Sequence, residues 1–156
     1  MPVAAQLAPA PIPIDCPCMS DPFAHFVKAQ APVYSAAFAE LRAGQKSTHW
    51  MWFIFPQLAG LGHSATALRY GLLGLGEARA YLAHPLLGPR LIECTGLVNA
   101  VRGRRANAIF GSPDDLKFRS SMTLFGRADP EQAAFSDALA NYYDGIEDAR
   151  TLALLE

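Results

Sequence analysis

The sequence predicts an all-α fold: a compact single domain of about seven to nine mostly short helices. Apolar residues recur at helical spacing along most of the chain, and helix-start and helix-stop residues bracket those runs. No alternation of apolar and polar residues persists long enough for a strand. At 156 residues, 51% hydrophobic and 17% charged, the chain can bury the core of one domain and is too apolar for global disorder.

The elements follow in order. Ser20, Asp21 and Pro22 place cap residues before a proline at a first helical position, and Phe23, Phe26 and Val27 then recur at i, i+3, i+4. Pro32 restarts the helix, Tyr34, Phe38 and Leu41 continue its period, and Gly44 closes it as a C-terminal cap. Residues 52–55 carry high β-propensity, but one strand cannot make a sheet. After the turn at Gly60-Leu61-Gly62 comes a helix with Ser64 near its start, then weakened continuity at Gly71, Gly74 and Gly76. A shorter helix from about Glu77 carries Tyr81 and Leu82.

The clearest helical signal is the face drawn by Leu87, Leu91, Cys94, Val98 and Val101, started by His84-Pro85 and closed by Gly103. A short helix over Ala106 to Phe110 precedes Ser112-Pro113-Asp114-Asp115, which reads as cap serine, proline at N1 and two first-turn acids. The helix so started buries Phe118, Met122 and Phe125. Asp129-Pro130 starts another, with Phe135, Leu139 and Tyr142 on one face, and a last short helix covers Thr151 to Leu155. Residues 1–20, with five prolines and four alanines, read as a disordered tail without the pattern of a signal peptide, and 21–156 as the domain.

Composition narrows the function classes. A net charge of −1 argues against a nucleic-acid binder. The only basic cluster, Arg102, Arg104 and Arg105, reads as helix-end electrostatics. No segment qualifies as a transmembrane helix. Cys94 sits on the apolar helical stripe as a buried thiol, and Cys16-Pro17-Cys18 has no further partners for a metal. Three cysteines without a disulfide framework fit a reducing, cytoplasmic compartment. The four histidines lack zinc spacing, and neither a nucleophile elbow nor a P-loop is present, so no metal or cofactor is implied. Nothing in the sequence sets the oligomeric state.

The stretch His49-Trp50-Met51-Trp52-Phe53-Ile54-Phe55-Pro56-Gln57 is the strongest pointer to a site. It holds both tryptophans of the chain and has polar groups at both ends. His49 is the leading catalytic candidate because histidine titrates near neutral pH; its structural alternative is a hydrogen-bonded positioner of the aromatic run. Trp50 and Trp52 face one side if the segment is extended and diverge if it is helical; one ring reads as core and the other as a stacking surface. Gln57 serves a ligand or the turn at Pro56. His63 lies at a helix N-terminus and His84 at a helix start.

The second constellation lies on the helix after Ser112, where Asp114, Lys117 and Ser121 share a face and Asp115 and Arg119 are spaced for a salt bridge. Asp114 is the second catalytic candidate and otherwise a helix-dipole partner; Lys117 and Arg119 are anion contacts, with Ser120, Ser121 and Thr123 adding hydroxyls. Together the segments suggest a domain that binds, and in one version hydrolyses, an anionic, nucleotide-like or ADP-ribose-type small molecule. The alternative is a non-enzymatic protein-interaction module that uses exposed aromatics.

The aromatic string, together with Phe110-Gly111-Ser112-Pro113-Asp114-Asp115-Leu116-Lys117, Arg119-Ser120-Ser121-Met122-Thr123-Leu124-Phe125, Tyr81-Leu82-Ala83-His84-Pro85-Leu86-Leu87-Gly88 and Arg150-Thr151-Leu152-Ala153-Leu154-Leu155, resembles the bacterial domain of unknown function numbered 1810. The resemblance implies an all-helical fold and brings no settled activity and no catalytic residues. Thr48 stands where that family often has serine, and Gly74 where it has a better helix former. The label calpastatin often attached to such proteins does not suit a compact, unrepetitive chain, since calpastatin is disordered and repetitive.

Overall fold

A computed structural model describes residues 21–155, and among these residues the chain forms ten helices and no strand. They are α1 (Ala24–Gln30), α2 (Tyr34–Ala43), α3 (Met51–Ile54), α4 (Ala65–Tyr70), α5 (Leu75–Ala83), α6 (Leu87–Ala100), α7 (Ala106–Phe110), α8 (Asp114–Ala128), α9 (Ala133–Tyr143) and α10 (Ala149–Leu155). Cys16, Cys18 and the tail lie outside the described residues. Among those residues no helix is long and apolar enough to cross a membrane.

The core is built on α6 and α8. Leu87, Leu91, Cys94 and Val98 of the α6 stripe are buried as their spacing requires, while Val101 is half-buried beyond the helix end. Burial pushes the Cys94 thiol up to about 11, so it packs as a small apolar group. Helix α8 buries Phe118, Met122 and Phe125, and also Leu124, Ser121 and Thr123, because α5, α7, α9 and α10 surround it. Phe118 stacks on Phe110 at 4.6 Å and meets the edge of Phe55 at 4.9 Å, which seats the aromatic segment against α8.

Several local signals are realised. Gly44 takes φ 76°, the left-handed cap that ends α2, and Ser64 Oγ accepts from Ala67 N to start α4. His84 Nδ1 accepts from Leu86 N and Leu87 N at 3.1 and 3.2 Å, and its Nε2 lies 2.6 Å from Asp21 Oδ2, so this histidine caps α6 and ties it to the start of α1. Gly74 is extended and precedes α5 instead of interrupting it.

Other boundaries differ from the sequence expectation. Residues 51–54 form one helical turn, since a lone strand has no ladder to join; among the described residues there is only an isolated bridge between Leu58 and Leu72. Ser112 does not cap α8: Gly111 O and Pro113 O accept its first amides, and Asp115 Oδ1 takes Leu116 N. Helix α9 starts at Ala133, with Gln132 as its cap, because Asp129 is still occupied in ending α8.

One buried polar knot fixes where α3 sits. Gln30 Nε2 donates to Phe53 O at 2.7 Å and to Tyr81 OH at 3.1 Å, while Arg90 Nη1 donates to Gln30 Oε1 at 3.1 Å. Three connected hydrogen bonds join α1, α3, α5 and α6, a rigid support for the aromatic segment.

Candidate functional site

The site begins at the end of α2. The left-handed Gly44 sends the chain back past α7, where Lys46 N donates to Ile109 O at 2.6 Å. Glu40 then gathers the following turn: its carboxylate accepts from Ser47 N (2.7 Å), Thr48 N (3.0 Å), Thr48 Oγ1 (2.6 Å) and Trp50 Nε1 (2.9 Å). Burial opposes ionisation of Glu40, but these four donors outweigh it and bring its pKa down to about 2. Thr48, the residue that differs from the usual serine, keeps the hydroxyl that Glu40 requires.

That anchor predicts an acid sensitivity. A carboxylate with a folded-state pKa below its unfolded value of 4.5 stabilises the fold above pH 4.5, and the contribution is lost as pH falls toward about 2. Glu40→Gln is expected to cost about 1–2 kcal/mol at neutral pH, the range for weakening charged hydrogen bonds at a partly solvated site. Urea denaturation of both proteins from pH 7 downward checks this: the gap should close between about pH 4.5 and about pH 2. A gap independent of pH would rule out the anchor.

Beyond this turn, Lys46 meets the first turn of α8. Its Nζ lies 2.8 Å from Asp114 Oδ2 and 2.6 Å from Thr48 O, and 5.0 Å from the Trp50 ring centre, with the side chain 6% exposed. The other carboxylate oxygen of Asp114 lies 3.4 Å from Lys117 Nζ, one turn along α8. The result is a Lys46–Asp114–Lys117 chain of charges, with Lys117 its more exposed end.

These groups line a cavity of about 280 Å³, together with His49, residues 50–53, the α4 cap Ser64 and Thr66 in its first turn. Gly62 lets the preceding loop lie against the ring of Trp52, since a Cβ there would fall 2.9 Å from Ala67 Cβ and 3.4 Å from Trp52 Cζ2. His49 is exposed at the cavity wall and carries no side-chain hydrogen bond among the described residues.

The two segments singled out in the sequence therefore meet. His49, Trp50, Trp52, Asp114 and Lys117 share the cavity. Gln57, Arg119 and Ser121 do not. Gln57 is buried behind the segment, its carbonyl accepting from Leu72 N, and its Nε2 has no partner among the described residues. Ser121 faces the core, fully buried. Arg119 pairs with neither Asp115 nor the cavity: Ile146 O and Glu147 O offer it two acceptors, at 2.9 and 3.1 Å, so it fastens the link between α9 and α10. Ser120 and Thr123 hydroxyls donate to carbonyls one turn back, as helix-interior hydroxyls do.

Both tryptophans are buried, Trp50 at 1% and Trp52 at 8% exposure, so they are not presented to a partner helix. Among the described residues the exposed large apolar side chains are leucines and one isoleucine. Arg104 and Arg105 line a separate cleft, where Arg104 Nη2 donates to Ala108 O near the end of α7. Lys46 and Glu40 escaped the sequence reading. Lys46 is a lone charge in a polar stretch whose carboxylate partner comes from α8, and Glu40 is a helix charge whose partners lie in the turn that follows.

Fold and site together define a small all-α domain with a cavity of cationic and aromatic character. The chain belongs to the family described as protein of unknown function (DUF1810), which matches residues 21–155. It is similar to the solved structure of the conserved hypothetical protein Rv1873 from Mycobacterium tuberculosis, with 63% identity and a TM-score of 0.85 over 86% of this chain and 98% of that one. No curated protein matches the chain.

Proposed function

We propose that the domain binds an anionic, nucleotide-like small molecule in the cavity between the 46–53 segment and the start of α8. One juxtaposition carries the reading: two lysines and a histidine without a side-chain hydrogen bond among the described residues share a cavity of about 280 Å³ with two tryptophans and Phe53. The volume is near the lower end of small-molecule sites, enough for one ring and one phosphoryl group, with the remainder of a larger ligand of the ADP-ribose type outside. Lys117 supplies the accessible charge and the aromatic wall a surface for a base or sugar.

In a hydrolytic form of this reading His49 is the general base. Both oxygens of Asp114 already face lysines, whereas the imidazole at the cavity wall is free to take a proton from a water attacking a glycosidic or phosphate bond. Asp114, the other candidate base, is thereby better suited to hold charge than to move protons.

The test is a thermal-shift series on the full chain with AMP, ADP-ribose and glucose 6-phosphate. A ligand at a hundredfold excess over its Kd stabilises by about 2.7 kcal/mol, a Tm rise of roughly 5–10 °C for a domain of this size. Lys117→Ala is expected to abolish the rise. His49→Ala should keep binding and lose any turnover. A folded sample unmoved by all three ligands would sink the reading.

A further inference from the structure

We infer that Asp114 is a specificity-determining residue, a built-in counter-ion that restricts the cavity to one singly charged phosphoryl group, that of a phosphodiester or the single phosphoryl of a pyrophosphate link whose other phosphoryl stays outside. The inference rests on the binding reading above and narrows its ligand class.

The argument is one of charge and of which charges are already engaged. Two lysines against one aspartate give the cavity lining one more lysine than acid. Glu40, behind the aromatic segment, turns its oxygens onto the 47–50 turn and does not line the cavity. Lys46 is spent: Asp114 Oδ2, Thr48 O and the Trp50 face surround an ammonium whose side chain is 6% exposed. Lys117, one-third exposed and only 3.4 Å from Asp114 Oδ1, is the cation a ligand can reach.

A ligand must leave water to enter, and desolvation costs more for a dianion than for a monoanion. With one uncompensated cation, a single negative charge is matched and a second faces the Asp114 carboxylate. A phosphate monoester carries a charge of about −1.5 to −2 at neutral pH, whereas a diester phosphoryl carries one. Asp114 therefore selects against monoesters and terminal phosphates while leaving diester-type groups matched.

Phenyl sulfate and phenyl phosphate separate this from the general binding reading, because they share shape and ring and differ in charge. Titration of the full chain by calorimetry at pH 7.5 is expected to show the sulfate binding at least as tightly as the phosphate. Asp114→Asn raises the lining to two positive units and should invert the order, with the phosphate about tenfold tighter than the sulfate. Lys117→Met, which leaves the Lys46–Asp114 pair intact, brings the lining to zero and should remove both, a result independent of how well the asparagine variant folds. Wild-type preference for the phosphate, an unchanged order in Asp114→Asn, or weaker binding of both ligands by that variant would each overturn the inference while leaving an anion site in place. Failure of both ligands with wild type would remove the anion site and the inference with it.

Discussion

Gly88→Ala is expected to destabilise the domain by about 3 kcal/mol or more, against the usual range of roughly 1–3 for overpacking. A Cβ at Gly88 would stand 2.0 Å from Leu82 O and 2.8 Å from Leu82 C. The obstacle is main chain of the neighbouring α5, which has no rotamer to change. Nor can the α5–α6 corner open easily. Gly88 N donates to His84 O, and His84 itself holds Leu86 N, Leu87 N and Asp21. Relief of the clash therefore requires separating two helices whose buried faces include Ala78, Tyr81, Leu87 and Leu91.

Gly96, also in α6, is the internal control. Nothing lies within 4 Å of a Cβ there, so Gly96→Ala should be stabilising by about 0.5–1 kcal/mol through helix propensity alone. Urea denaturation of the two variants measures both. Similar small effects from the pair would mean that the α5–α6 contact is looser than its geometry.

What the sequence could and could not convey follows from how far each signal reaches. The α6 stripe, the Gly44 cap and the helix start at Ser64 depend on residues within a turn or two, and they stand as read except at Val101, which falls one residue past the end of α6. Ser112 had the right chemistry for a cap, but acceptors from Gly111, Pro113 and Asp115 satisfied the same amides. The juxtaposition of His49 with Lys117 was legible as a possibility only because both segments were chemically unusual.

Sorting the members of those segments needed the third dimension. Helical spacing put Asp114, Lys117 and Ser121 on one face, yet α8 is surrounded, and the same face passes from solvent at Lys117 to core at Ser121. Arg119 satisfied the spacing for a salt bridge and found backbone carbonyls instead. Lys46 and Glu40 left no sequence signal, because a lysine partnered by an aspartate on α8 looks like any surface lysine.

Trp50→Ala is the substitution expected to act on fold and site together, at a cost of about 3–5 kcal/mol for a fully buried tryptophan. The ring is 1% exposed and is seated near Phe55, at 6.2 Å between centres. Its Nε1 is one of the four donors on Glu40, and its face underlies the ammonium of Lys46. Truncation opens a cavity under the turn, removes a donor from a charged acceptor and takes the aromatic floor from a lysine with little access to water. Trp50→Phe separates these contributions: it keeps most of the apolar contact and loses the N–H, so about 1–2 kcal/mol is expected from it. If Glu40 holds the turn through that bond, the pH dependence below 4.5 should also weaken in the phenylalanine variant, since one donor that lowers the Glu40 pKa is gone. Denaturation of both variants at pH 7 and pH 3 decides the matter. A phenylalanine variant with unaltered acid sensitivity would leave Trp50 a core residue with no part in the Glu40 anchor.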